Sequence, residues 1–167
     1  MQSFQKGDLV FHTEHGAGVL IATRHMEVGE STRSYYVVEL STGSTLMIPV
    51  DKDEENAQLR PLISGEILAA VLSSPPGELS KDFRVRQQQL GDKLNSGDQR
   101  QNAEALRDLL WREQNEHLST GDRRLMDLAR KRVVFMVAAQ HGMSIEDAAS
   151  RLGSILKKAQ TQWTVTG

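Results

Sequence analysis

The sequence has no cysteine, so it can form no disulfide and offers no thiolate to zinc. No apolar run approaches the ~20 residues that a membrane-spanning helix needs. The opening Met1-Gln2-Ser3-Phe4-Gln5 has no basic region followed by an apolar block, and no secretory leader is expected. There is no phosphate-binding glycine loop and no nucleophile elbow, so no enzyme chemistry is expected. Internal repeats and low-complexity tracts are also absent. His12 and His15 fall on an expected strand and turn, where they would not share a face as helical metal ligands do, and no clear third ligand accompanies them. These absences lead us to expect a cytoplasmic protein with no metal and no cofactor.

What remains is an ordinary globular chain of 167 residues, 38% hydrophobic and 25% charged, long enough for one domain or two small ones. Its net charge of −2 hides an asymmetry. Through Leu62 there are five Lys/Arg against nine Asp/Glu, and after it fifteen against thirteen. A mildly basic second half permits nucleic-acid contact without demanding it.

Residues 4–50 read as β structure. Short strands are expected over Asp8–His12, Val19–Arg24, Ser34–Leu40 and Thr45–Val50. His15-Gly-Ala-Gly18 supplies glycines for a turn or a close backbone approach, and Val28–Thr32 reads as a loop. Pro49 cannot donate to a ladder, so the last strand should be an edge or end there. Four or five short strands with little helix suggest a small, strongly bent barrel, whose edges could take a strand from another chain. An acidic loop follows at Asp51–Asn56. Carboxylates elsewhere are expected to pair with arginines on solvated helix surfaces.

From Ser64 onward the period is helical. Ser64 opens a short helix that Ser73-Ser-Pro-Pro-Gly77 breaks. Further helices are expected over 81–95, 98–117 and 120–140, and from Ser144 onward, with a frayed tail from Thr161. The organising stretch is Ala105–Arg132, a helical hairpin. In it Ser119 caps a helix with Asp122 three residues on, and Arg123, Arg124, Arg130, Lys131 and Arg132 cluster after the turn. Gly142 is a natural residue to end that helix. The expected core is Leu106, Leu110, Leu125, Leu128, Val133, Leu152 and Ile155. In Lys81-Asp-Phe-Arg-Val-Arg86 a lone aromatic begins a helix among cations. Phe83 is either a wedge for a base step or a core residue packed on Leu90.

Four places then resemble the CarD/CdnL family of bacterial RNA polymerase-binding transcription regulators. They are Lys6-Gly-Asp-Leu-Val-Phe with His15-Gly-Ala-Gly18, Leu46-Met-Ile-Pro49, Ser96-Gly-Asp98, and Ala103-Glu-Ala-Leu-Arg-Asp-Leu with Leu118-Ser-Thr-Gly-Asp-Arg-Arg-Leu-Met and Ala129-Arg130. The similarity runs over roughly residues 4–157, in the family's order. It implies an α+β chain: a small N-terminal Tudor-like antiparallel β-barrel (1–62) followed by a compact C-terminal α-helical domain (63–167).

By the same resemblance, the barrel would bind the RNA polymerase β subunit through its sheet edge. The helical domain would meet promoter DNA at the upstream edge of the melted bubble. Phe83 stands where the family places a tryptophan wedge. Arg86 keeps a basic position, and Gln87 and Gln88 replace a frequent aromatic and lysine. Arg123 falls on a basic position near DNA. Met26 and Met47 stand at polymerase-facing positions where some members use arginine, and His12-Thr13 replaces a common Tyr-Pro. The expected DNA-facing set is Phe83, Arg84, Arg86, Arg123 and Arg124, and the expected polymerase-facing set is Met26, Thr45 and Met47. A monomer is expected, with no membrane partner. The expected function is stabilisation of the promoter open complex. The alternatives are a polymerase-binding relative with weak or no promoter melting, and a helical adaptor with no nucleic-acid role.

Overall fold

The computed structural model describes residues 3–50 and 58–166; the acidic stretch 51–56 lies outside them. Five strands come first: β1 (Leu9–His12), β2 (Gly16–Val28), β3 (Ser31–Leu40), β4 (Thr45–Pro49) and β5 (Leu59–Pro61). They form one antiparallel sheet in the order β4-β3-β2-β1-β5. The sheet curls enough for Ile48 of β4 and Leu59 of β5 to share a core with Val10, Leu20, Tyr36 and Val38. It does not close into the expected barrel, because no ladder joins β4 to β5 among the described residues. Both edge strands end on a proline, Pro49 and Pro61, which has no N–H to donate.

β2 and β3 are longer than the pattern suggested, and the expected loop at Val28–Thr32 is a two-residue turn. Gly29 takes a φ of 67° at its first central position, where hairpin turns call for glycine. The tip of this hairpin is wet on both faces, so its sequence shows no alternation to read. Gly18 does the other job foreseen for the glycines: a Cβ there would lie 2.6 Å from the Glu39 carbonyl oxygen.

Five helices follow: α1 (Gly65–Ser73), α2 (Phe83–Asn95), α3 (Gln99–Asn115), α4 (Thr120–His141) and α5 (Ile145–Thr166). Their starts are capped by Ser64, Asp82, Asp98, Ser119 and Ser144, whose side chains accept the orphan N–H groups of the first turns. Gly142 ends α4 in the left-handed conformation. No helix among the described residues is long and apolar enough to cross a membrane.

The buried stripe of α4 runs Asp122, Met126, Ala129, Val133, Met136 and Val137. Leu128, expected in the core, falls off that stripe and is 38% exposed, while Leu125 and Ile155 are only partly buried. Of the tail expected to fray, residues 161–166 are helical. Trp163 is 1% exposed, donates its indole N–H to the Leu72 carbonyl at 2.9 Å and meets Trp111 edge to face. It extends the stripe Leu152, Leu156, Ala159 of α5 by one more step, and it closes α5 over α1.

The sheet and helices share residues. Phe11 and Ala17 belong to the helical core rather than the sheet's own. The Ser41 hydroxyl donates to the Phe135 carbonyl at 2.8 Å. Gln99 accepts from the Ile63 amide and donates to the Pro61 carbonyl, and Gln140 donates to the Ile63 carbonyl. The joint between β5 and α1 is thus gripped from two helices.

The β1–β2 turn rests on His12, which is 5% exposed. Its Nδ1 accepts the amides of Glu14 (3.1 Å) and His15 (3.2 Å) and is therefore the unprotonated nitrogen. The His12 and His15 rings come together, with centroids 4.7 Å apart. Burial, then the neighbouring His15, lowers the His12 pKa, partly opposed by Glu14.

Two outcomes are expected. In urea unfolding, Leu109→Ala should cost ~2–5 kcal/mol, since Leu109 is wholly buried, and Leu128→Ala should cost less than ~1 kcal/mol. The His12 pKa lies lower in the folded than in the unfolded chain, so folding favours the neutral ring. That stabilisation is present above the unfolded value of 6.5 and is lost as pH falls below it. Melting temperature should therefore drop between pH 7 and 5. His12→Asn, whose side-chain oxygen can accept the same two amides, should flatten that part of the profile.

Candidate nucleic-acid interface

α2 begins where the chain leaves the Pro-Pro-Gly break. Asp82 caps it, accepting the amides of Arg84 (2.9 Å) and Val85 (3.3 Å). The face carrying Leu94 and Leu90 continues four residues back to Arg86, which is buried with them at 3% exposure. Phe83, at the first helical position, stays outside at 54% exposure rather than packing on Leu90. The Arg84 guanidinium lies 5.6 Å from its ring centroid, and Val85 adds a second exposed apolar side chain.

Arg86 is not on this surface. Its Nε and Nη2 donate to the two oxygens of Asp122 at 3.0 and 2.9 Å, a two-pronged fork. Its Nη1 donates to the carbonyls of Ser80 (2.9 Å) and Lys81 (3.2 Å). The expectation of a phosphate-facing Arg86 is therefore corrected: the helix spacing turns it inward, and a buried carboxylate satisfies it there. Nor is that carboxylate on a solvated helix surface. Asp122 is fully buried, and its second oxygen also accepts the Ser119 amide at 3.1 Å, completing the capping box of α4. Burial alone would raise its pKa. The Arg86 fork, the Ser119 backbone and hydroxyl, and the Arg86 charge hold it below the ordinary carboxylate value.

The bond between Asp122 and Arg86 sets the starts of α2 and α4 side by side. Gln87 packs against Gly121 there, where a Cβ would come within 2.4 Å of its amide nitrogen, and donates to the Ser119 hydroxyl. Arg123 and Arg124 follow directly on Asp122 and are exposed; Arg123 has only a loose approach of 3.9 Å to Glu113. Phe83, Arg84, Arg123 and Arg124 thus stand at neighbouring helix starts, with Lys81, also exposed, just before them.

On the sheet, Met47 pairs with Val37, Thr45 with Glu39 and Met26 with Arg33. Residues 33, 37 and 39 alternate on one side of β3, so Met26, Thr45 and Met47 share a sheet face. It is the face opposite the sheet's own core. Met26 and Met47 are 45% and 39% exposed, Thr45 is exposed, and β4 is an edge strand. Two features escaped the sequence reading. The Asp82 cap was legible as an acidic residue just ahead of the helix, whereas the Arg86 fork, which spans 36 residues, left no local trace. No group of three or more His, Cys, Asp or Glu side chains suited to a metal occurs among the described residues.

Comparison with known proteins gives the family. Residues 4–63 match the family model described as CarD-like/TRCF RID domain, and residues 67–153 match that of the CarD C-terminal domain. The candidate transcription factor YdeB of Bacillus subtilis (strain 168) is 28% identical over 132 residues, covering 75% of this chain and 84% of YdeB. With both halves matched in order, the chain belongs to the CarD/CdnL family of transcription regulators.

Proposed function

We propose that the chain docks on the RNA polymerase β subunit through residues 1–62 and presents residues 63–167 to promoter DNA, stabilising the open complex. The observation that carries this reading is Phe83. An aromatic ring more than half exposed at the first position of a capped helix, with a guanidinium beside it, has no packing reason to be there. It has the form of an apolar wedge for an unstacked base step. A wedge that fits only a widened, opened groove binds that state better and shifts the equilibrium toward it. Arg84, Arg123 and Arg124 would contact phosphates, which position the domain without reading sequence. Met26, Thr45 and Met47, on one face beside the β4 edge, would form the polymerase contact.

One observation favours a second reading, a relative that binds polymerase but melts promoters weakly. Arg86 is spent internally, so α2 offers fewer cations to the duplex than its sequence suggests. A promoter-opening assay with purified polymerase, with and without the protein, decides between the two. A longer-lived open complex supports the first reading; polymerase binding with no change in lifetime supports the second.

Under the first reading, Phe83→Ala should lose ~1–3 kcal/mol of stacking, shortening open-complex lifetime about fivefold or more while sparing polymerase binding. Phe83→Trp should lengthen the lifetime, since the larger ring stacks more area. Arg123→Ala should reduce the salt slope of DNA binding by about 0.9. Met47→Glu should weaken capture of polymerase with the melting temperature unchanged, because Met47 is partly exposed on an edge strand. An unaltered pull-down with this variant removes the β4 edge from the proposed contact.

A further inference from the structure

From the geometry around Asp122 we infer that Arg86 is a positioning residue for Phe83: it clamps the chain ahead of the ring and does not touch DNA. This rests on the reading of Phe83 as a wedge. Four hydrogen bonds occupy most of the five N–H donors of the guanidinium, and the residue is 3% exposed, so no phosphate can reach it.

The bonds run in two directions. Two go to Asp122 at the start of α4, and two go to the carbonyls of Ser80 and Lys81, immediately before the Asp82 cap. The Ser80 hydroxyl also accepts the Asp82 amide at 3.2 Å. Further back, the Gly77 amide donates to Asp108 at 2.9 Å, and Asp108 is itself held by Arg107. The segment 77–82 is therefore a strap fixed at both ends by buried carboxylate–guanidinium pairs, and Phe83 is the residue it delivers.

Because Asp122 also completes the α4 capping box, the same carboxylate orders the first turn that carries Arg123 and Arg124. One buried ion pair thus sets the ring relative to the cations. Lysine at 86 would keep the charge but lose the fork and the reach to two carbonyls.

The test compares Arg86→Lys, Arg86→Met, Asp122→Asn and their Lys/Asn double variant with Phe83→Ala, in full-length protein with polymerase and promoter DNA. If Arg86 positions the wedge, Arg86→Lys and Arg86→Met should shorten open-complex lifetime alike, about five- to thirtyfold. The salt slope of promoter binding should stay at its wild-type value in both, and the double variant should be no worse than about twofold beyond either single change. If Arg86→Lys behaves as wild type while Arg86→Met lowers the slope by about 0.9, Arg86 meets a phosphate and the inference is overturned. If Phe83→Ala leaves the lifetime unchanged, the wedge reading itself falls. If Phe83→Ala shortens it and Arg86→Lys does not, only the positioning role falls.

A measurement on the unmodified protein does not depend on the variants folding. The hydrogen-bonded amides 84–86 and 119, 122 and 123 should exchange hydrogen as one unit, with protection factors within about threefold, because Asp122 ties the two first turns together through Arg86 and Ser119. Exchange of 84–86 at the rate of a fraying end, with 119, 122 and 123 still protected, overturns the inference.

Discussion

A carboxylate with no access to water has to be fully partnered, and the helical part of this protein is arranged around that requirement at Asp122. Isolated, the charge would cost several kcal/mol to bury. The Arg86 fork and the Ser119 amide meet the requirement, and each brings an element with it: α2 through Arg86 and the α3–α4 turn through Ser119. Arg112 approaches from α3 at 4.0 Å. Removing one partner of such a pair leaves the other charged and dry, typically a loss of ~3–5 kcal/mol, so the three helices are held in one arrangement rather than several.

A second constraint ties this helical unit to the sheet. The sheet's inner face has its own small core, and its other face gives Phe11 and Ala17 to the helices. Gly97, at the turn between α2 and α3, lies so close to Thr13 that a Cβ would come within 2.7 Å of it. The β1–β2 turn, stabilised from within by His12, is therefore also the point where the end of α2 rests on the sheet.

Much of the fold was legible because it is local. Ser64, Asp98, Ser119, Ser144 and Gly142 each act within one turn of themselves, and each marks the helix boundary their type suggests. The errors share a different origin. Arg86 lies four residues before Leu90 and eight before Leu94, so its inward face was readable; its partner, far along the chain, was not. Leu128 was assigned to the core from helical spacing, while the buried path along α4 runs through Met126 and Ala129 beside it. Trp163 continues the spacing of Leu156 and Ala159, and only position near the chain end argued against it. The barrel was inferred from strand number, but closure needs the two edges to pair, and among the described residues no ladder joins β4 to β5. For the candidate site, the exposed ring and the arginine pair of α4 were visible as residue types in a pattern. The distinction between a cation that faces solvent and one that braces the interior was not.

The shared core has a consequence for reach. With Phe11 and Ala17 seated among the helices, and Gln99 and Gln140 gripping the joint, no pliable tether separates the methionine-bearing sheet face from Phe83. Under the proposed function the molecule would act as a ruler. With the sheet seated on the polymerase, the place Phe83 would touch would already be measured off, and selectivity for location along the DNA would come from a fixed length instead of from contacts to its bases.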